Sequence, residues 1–169
     1  MTTATAPLDE LTDGYAPPDE HRPLAAYAGM SATFVISLTT ALALLRAAGR
    51  ELPERPHPAD LLLCGVATHK VSRLIAKDKP TSFVRAPFTR YQEAAGHGEI
   101  EEQPRGKGLR RAIGELLVCP YCLAQWVAAV FAVGLVAAPR LTRFIAGMYV
   151  AETLSDTLQL AYKAAGERS

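Results

Sequence analysis

The sequence lacks the residues from which secreted, disulfide-stapled proteins are built. Its 169 residues include three cysteines and no asparagine. Three cysteines are too few for a framework of several disulfides, and without asparagine there is no N-glycosylation acceptor. The first 22 residues are acidic and contain several prolines, whereas a cleavable signal begins with basic residues. The apolar segment that follows, residues 24–45, is therefore expected to be retained as a membrane anchor.

The signatures of common enzymes are absent as well. The sequence has no Ser-His-Asp spacing and no zinc-protease motif, and Gly106-Lys107-Gly108 is too short for a phosphate-binding loop. The net charge is +1, and acidic side chains offset basic ones in the most basic segment. The sequence therefore favours a protein that is not an enzyme, and no nucleic-acid partner is expected.

Charge is missing from two long stretches. Residues 24–45 and 116–138 carry no charged side chain, while ten of the 18 lysines and arginines fall between residues 70 and 111. About 20 apolar residues in a helix cross a hydrocarbon core of roughly 30 Å. We therefore predict an all-α fold, a small multi-pass membrane bundle of three or four helices. For residues 24–45 the alternative is a buried core helix of a soluble bundle.

One helical domain, residues 23–165, is expected between a disordered acidic tail and a short C-terminal tail. The tails are residues 1–22 and 166–169, and the predicted helices are residues 24–45, 61–77, 120–138 and 141–163, with a break at Pro139. The helix at 61–77 either spans with its basic end at the surface or lies along the interface. The loop at 78–111 is expected to be structured and cytoplasmic, because basic residues favour that side of the inner membrane.

Basic residues in and before this loop are candidates for contact with anionic lipids or a protein partner. They are Lys70, Arg73, Lys77, Lys79, Arg85 and Arg90. In the last helix, Glu152 and Asp156 begin a polar stripe. This stripe is either a solvated face or a buried one, in which case its acids pair with His69 or Arg73.

A paired-cysteine motif, Cys119-Pro-Tyr-Cys122, stands where the basic loop meets the second uncharged stretch. It matches the redox motif of glutaredoxins, but no β-α-β pattern surrounds it. Three interpretations remain open. The cysteines pack a tight helix entry, or they form a redox-active dithiol, or they bind zinc together with Cys64 and either His69 or His97. No cofactor is predicted other than this candidate zinc ion.

Three ordered blocks of sequence resemble a known family. They are residues 67–79 (ATHKVSRLIAKDK), 85–90 (RAPFTR) and 114–126 (GELLVCPYCLAQW). Together they resemble the bacterial membrane family called domain of unknown function 1360. Some relatives are described as sporulation-associated or spore-coat-associated membrane proteins. The resemblance implies an integral membrane protein but no mechanism.

The function predicted from the sequence is that of a scaffold or interaction protein at the cytoplasmic membrane surface. Its expected partners are membrane lipids and a possible protein. The alternative is a thiol redox or metal-binding protein at the membrane edge, which uses Cys119 and Cys122.

Overall fold

The computed structural model describes residues 12, 14–15 and 22–167. Most of the predicted tail at 1–22, and the last two residues of the tail at 166–169, lie outside the described residues. The described chain forms six helices and two strands. They are α1 (Leu24–Ala47), α2 (Pro58–Lys77), α3 (Ser82–Arg85), β1 (Thr89–Gly96), β2 (Glu99–Pro104), α4 (Gly108–Val118), α5 (Pro120–Ala137) and α6 (Pro139–Gly166).

Prolines set the starts of three helices. α2, α5 and α6 each begin at a proline, whose missing N–H costs nothing at the first helical position. His57 caps α2 by accepting the N–H two residues on, at 3.2 Å. Cys119 caps α5, since its sulfur accepts the N–H of Cys122 at 3.2 Å. The start of the helix predicted at 120–138 is confirmed, and so is the break at Pro139.

The four long helices form a bundle in which α2 packs against both α5 and α6. The centre of this contact is a cluster of buried apolar side chains: Ala67, Val127, Phe131 and Ala146. α5 and α6 also pack against each other, while α1 packs against α4 and α5. The rings of Phe34 on α1 and Trp126 on α5 meet edge to face, with centroids 5.1 Å apart.

The two ends of the bundle differ. α1 begins beside α4, where the Tyr27 hydroxyl donates a hydrogen bond to the Glu115 carboxylate. α2 and α6 run side by side toward the same end, because Lys70 and Asp156, each in the second half of its helix, meet at 2.7 Å. We call the end that carries the strands the head end. The opposite end, which holds the α1–α2 and α5–α6 turns, is the far end.

The residues that α2 and α6 bury are small, whereas α5 buries Leu123, Val127 and Phe131. The buried residues of α2 and α6 are Ala67, Thr68, Ser72, Ala76, Thr142 and Ala146. On the outside, Leu62 of α2 is 74% exposed and Phe144 of α6 is 76% exposed. None of the residues of α1 is fully buried. A soluble bundle has the reverse pattern, because its large apolar side chains fill the core.

The predicted polar loop contains a β-hairpin, so the all-α prediction was wrong in this segment. β1 and β2 pair antiparallel in a two-stranded sheet. Between them, His97 and Gly98 both have positive φ, 50° and 83°, as a tight two-residue hairpin turn requires. The amide N–H of Lys79 donates to the carbonyl of Gly98 at 2.9 Å, which ties this turn to the end of α2. The fold is therefore mostly helical, with one small sheet at the head end.

Among the described residues, two helices are long and apolar enough to cross a membrane by length and composition. They are α1 and α5, and little of either is buried within the protein. α2 and α6 do not meet this criterion. α1 has no buried residue, unlike the core helix that is the alternative for residues 24–45, whereas α5 buries Leu123, Val127 and Phe131.

Candidate functional site at the head end

A buried arginine holds the head end together. Arg85 ends the short helix α3 and is fully buried. Its guanidinium pairs with the carboxylate of Glu102 on β2, which is only 5% exposed. It also donates to the backbone carbonyls of Ile75 at 2.6 Å and Asp78 at 3.0 Å. One side chain thus joins the end of α2, α3 and the hairpin, because a guanidinium can donate up to five hydrogen bonds.

Two threonines complete this network. The hydroxyl of Thr81 lies 2.9 Å from Arg85 Nη1, whose hydrogen bond it accepts, and 2.6 Å from the carbonyl of Leu74, to which it donates. The hydroxyl of Thr89 lies 2.9 Å from the carbonyl of Arg85 and 3.0 Å from the second oxygen of Glu102. Both carboxylate oxygens of Glu102 therefore have partners, as a buried ion pair requires.

Two further ion pairs fasten the hairpin to α2. Arg73 binds Glu99 through two hydrogen bonds of 2.7 Å, and Lys77 binds Glu101 at 2.6 Å. The cations are four residues apart on a helix, a rise of about 6 Å, and the acids are two residues apart on a strand, a rise of about 6.8 Å. The two spacings match, so each acid of this strand face meets one cation of the helix.

The acids of the α6 stripe pair with a different residue from the one predicted. Lys70 of α2 lies 2.7 Å from Asp156 and 3.4 Å from Glu152. The interpretation of the stripe as a buried face expected His69 or Arg73 as partners; His69 is exposed and Arg73 faces the hairpin, so neither pairs with these acids. Lys70 follows His69 by one residue, about 100° further around α2, and its side chain reaches the acids of α6.

An open cleft of about 1380 Å³ lies between the hairpin turn and the second half of α6. Its walls combine ionised side chains with apolar ones, including Lys70, Asp78, Glu152, Leu158 and Tyr162. Burial raises the pKa of the Asp78 carboxyl above its ordinary value, although the charge of Lys70 acts in the opposite direction. Burial therefore opposes the ionisation of Asp78.

Most of the cations that we considered for lipid contact are neutralised within the protein. Lys70, Arg73, Lys77 and Arg85 each pair with a carboxylate of α6 or β2. In the part of the chain that the structure describes, only Lys79 and Arg90 of the six candidates are exposed without an ion pair. The six residues therefore do not form one cationic surface.

The cysteine pair lies at the corner between α4 and α5. Cys119 and Cys122 are joined by a disulfide, and their Cα atoms are 5.3 Å apart. Cys122 is exposed, and it lines a cleft of about 370 Å³ with residues of α1 and α4. Beside it, Glu115 accepts hydrogen bonds from Tyr27 and, at 2.9 Å, from Arg111.

The structure does not assemble the residues proposed for zinc. Over residues 22–167, no group of three or more histidine, cysteine or acidic side chains is arranged to hold a metal ion. Cys64 is half-buried among apolar residues of α2, α5 and α6. His69 is exposed on α2. The pair Cys119 and Cys122 therefore lacks the third and fourth ligands that a structural zinc site needs.

Three side-chain interactions were missed from the sequence, two at the head end and one at the far end. Glu102 and Glu115 have partners that are distant along the chain, namely Arg85 and Tyr27. At the far end, Asp60 binds Arg143 through hydrogen bonds of 2.8 and 2.7 Å. The one local signal was Gly96-His97-Gly98, since such a sequence is typical of hairpin turns.

A comparison with protein families gives one match. The model of the family described as "Protein of unknown function (DUF1360)" matches residues 63–162. The matched region extends from α2 to most of α6 and includes the hairpin and the cysteine pair. No curated protein and no solved structure matches the chain.

Proposed function

The chain belongs to the DUF1360 family, as the three sequence blocks predicted, and we propose that it is a multi-pass protein of the inner membrane that presents its hairpin to partners in the cytoplasm. In this proposal the four long helices anchor the protein. The head end then acts as a scaffold at the membrane surface.

The observation that carries the membrane assignment is the exposure of many large apolar side chains, together with the small residues that α2 and α6 bury. Helices in lipid gain nothing from burying leucine, so their contacts use small and hydroxylic residues that allow close approach. α2 and α6 follow this rule, since Ala67, Ser72 and Ala146 are among their buried residues. The outward leucines and phenylalanines would form a large apolar surface in water, which monomeric soluble proteins rarely expose.

Ion pairs bracket the apolar parts of α2 and α6. Asp60 and Arg143 pair at the far end, and Lys70 pairs with Asp156 nearer the head end. Ten residues separate Asp60 from Lys70, a rise of about 15 Å, whereas the 18 residues of α5 rise about 27 Å. The two pairs are thus closer together than the two ends of α5, so at least one pair lies within the depth of membrane that α5 crosses. Pairing and the long stem of lysine make such a position tolerable in a membrane.

The orientation follows from the basic residues. The head end carries the ten lysines and arginines of residues 70–111, while the far end carries five arginines: Arg46, Arg50, Arg55, Arg140 and Arg143. Short loops rich in lysine and arginine stay in the cytoplasm. The rule counts positive residues rather than net charge, so the ion pairs of the hairpin do not change it. With four crossings, both ends of the helical domain are on the cytoplasmic side.

The scaffold role is supported by how the hairpin is held. Its acidic strand β2 is half-buried and fixed to α2, whereas every residue of β1 after Thr89 is exposed. A surface that is rigidly positioned and free on one side suits a protein partner. The exposed side chains of this surface include Arg90, Tyr91, Gln92 and Glu93.

Photocrosslinking in cells tests the scaffold role. A photoreactive amino acid replaces Gln92 on β1, and the matched control replaces Glu54 in the far-end turn. The proposal predicts protein adducts from position 92 and none of the same size from position 54. If position 92 gives no adduct, or if both positions give the same adducts, the hairpin is not a specific docking surface.

A further inference from the structure

The disulfide at the α4–α5 corner has two chemically different sulfurs. Cys119 is half-buried and caps α5, and its sulfur accepts the backbone N–H of Cys122. Cys122 lies on the first turn of α5, is exposed, and opens onto a cleft. This asymmetry assigns the sulfurs different roles in any exchange reaction.

Negative charge is better stabilised on the sulfur of Cys119. This sulfur stands at the N-terminus of an 18-residue helix, where free N–H groups and the helix dipole favour an anion. The 3.2 Å contact with the N–H of Cys122 is one such interaction. A thiol whose anion is stabilised is the better leaving group in thiol–disulfide exchange.

Access favours Cys122. The cleft of about 370 Å³ beside it is lined by Arg22, Tyr27, Met30, Ala112, Glu115 and Leu116. The carboxylate of Glu115 is paired with Arg111, which offsets its negative charge beside the cleft. The apolar side chains of the cleft can contact the carbon chain that carries the thiol.

We propose that Cys119 and Cys122 form a thiol–disulfide exchange site for a dithiol substrate, and that the mixed disulfide forms on Cys122. The substrate thiolate attacks the sulfur of Cys122, the bond between the two cysteines breaks, and Cys119 leaves as a thiolate. The second substrate thiol, once ionised, attacks the substrate sulfur of the mixed disulfide and releases Cys122. Cys119 and Cys122 are then reduced and take up the two protons, while the substrate leaves as a disulfide.

This exchange does not depend on the scaffold role. The proposed orientation of the protein places Cys119 and Cys122 in the cytoplasm, where disulfides are typically transient and serve catalysis or redox sensing. The choice of the sulfur that is attacked is also specific to this corner. Helix entry alone would make Cys119 the reactive residue, whereas exposure and the cleft direct the substrate to Cys122.

The test uses the full chain in detergent micelles and glutathione, a monothiol, as the probe. The oxidised protein reacts briefly with glutathione, acid stops the exchange, and peptide mass spectrometry locates the adduct. The proposal predicts adducts on Cys122 in roughly tenfold excess over Cys119. Cys64 is the internal control, because it is half-buried elsewhere and should carry no adduct.

Two single variants check the assignment. With glutathione disulfide as the oxidant, Cys119→Ser should accumulate a stable adduct on Cys122, because the resolving thiol is gone. Cys122→Ser should give less adduct, since Cys119 lies away from the cleft. Dithiothreitol should reduce the wild-type pair completely and leave no adduct. A predominant adduct on Cys119, or a pair that oxidised glutathione cannot convert to a disulfide, would overturn the proposal.

Discussion

Replacing Arg85 by methionine should open the head end while leaving the helical bundle intact. Methionine fills a similar volume but cannot donate hydrogen bonds. Glu102 would keep its charge in a buried position without its cation, and the carbonyls of Ile75 and Asp78 would each lose a donor. Removing one partner of a buried pair typically costs about 3–5 kcal/mol.

This cost should appear as a loss of hydrogen-exchange protection. If the hairpin opens as a unit, its opening free energy falls by the same roughly 3–5 kcal/mol. At about 1.4 kcal/mol per factor of ten, amide exchange in β1 and β2 should become roughly 10²–10⁴ times faster. The measurement is deuterium uptake by peptides from residues 89–104, compared with peptides from α5.

Arg90→Met is the matched control, because Arg90 is exposed and has no ion pair in the part of the chain that the structure describes. It should leave exchange in the hairpin unchanged. A double variant, Arg85→Met with Glu102→Leu, should recover part of the protection, since it removes the unpaired charge. If Arg85→Met accelerates exchange by less than about threefold, the arginine does not hold the hairpin and the reasoning fails.

Two further substitutions should change thermal unfolding, which can be followed through the fluorescence of Trp126. Gly114→Ala should lower the free energy of unfolding by about 1–3 kcal/mol, because the new Cβ would lie 2.5 Å from the carbonyl oxygen of Phe88. The control is Gly65→Ala, whose new Cβ meets nothing within 4 Å and which should be neutral or stabilising. Equal effects of the two substitutions would refute the close packing of α4. Asp78→Asn should stabilise the protein at neutral pH, because burial raises the pKa of this acid above its ordinary 3.8. The wild-type protein loses stability as pH rises from the pKa of the unfolded state to the higher pKa of the folded state. The gain should vanish below pH 3.8, where Asp78 is protonated in both states, and a gain independent of pH would contradict this cause.

The helices could be predicted from the sequence because their signals are local. Pro120 and Pro139 mark the start and the end of α5, and uncharged stretches of sufficient length define α1 and α5. The hairpin could not, because Thr89, Tyr91 and Ile100 are the only β-branched or aromatic residues in its two strands, which otherwise carry mostly glutamate, glutamine and alanine. Ion pairs with α2 hold it in place, and these depend on tertiary contact.

The partners of the charged residues were harder to predict than the residues themselves. Glu152 and Asp156 were identified from their spacing, but the choice among His69, Lys70 and Arg73 depends on how α2 is rotated against α6. Consecutive helix positions differ by about 100°, so a neighbouring residue faces another element. Packing, a redox-active dithiol and a zinc site were all open for Cys119 and Cys122, since the spacing of the two cysteines does not decide among them.

The claim at the centre of this account is a four-crossing membrane bundle with its hairpin in the cytoplasm. It can be tested with single cysteines at Gln92 and Glu54, in a variant whose three native cysteines are replaced by serine. An impermeant thiol reagent is added to sealed, right-side-out membrane vesicles. The account predicts that Glu54→Cys is labelled at once and that Gln92→Cys is labelled only after the membrane is permeabilised. Labelling of both sites from the same side, or release of the protein from membranes without detergent, would contradict it.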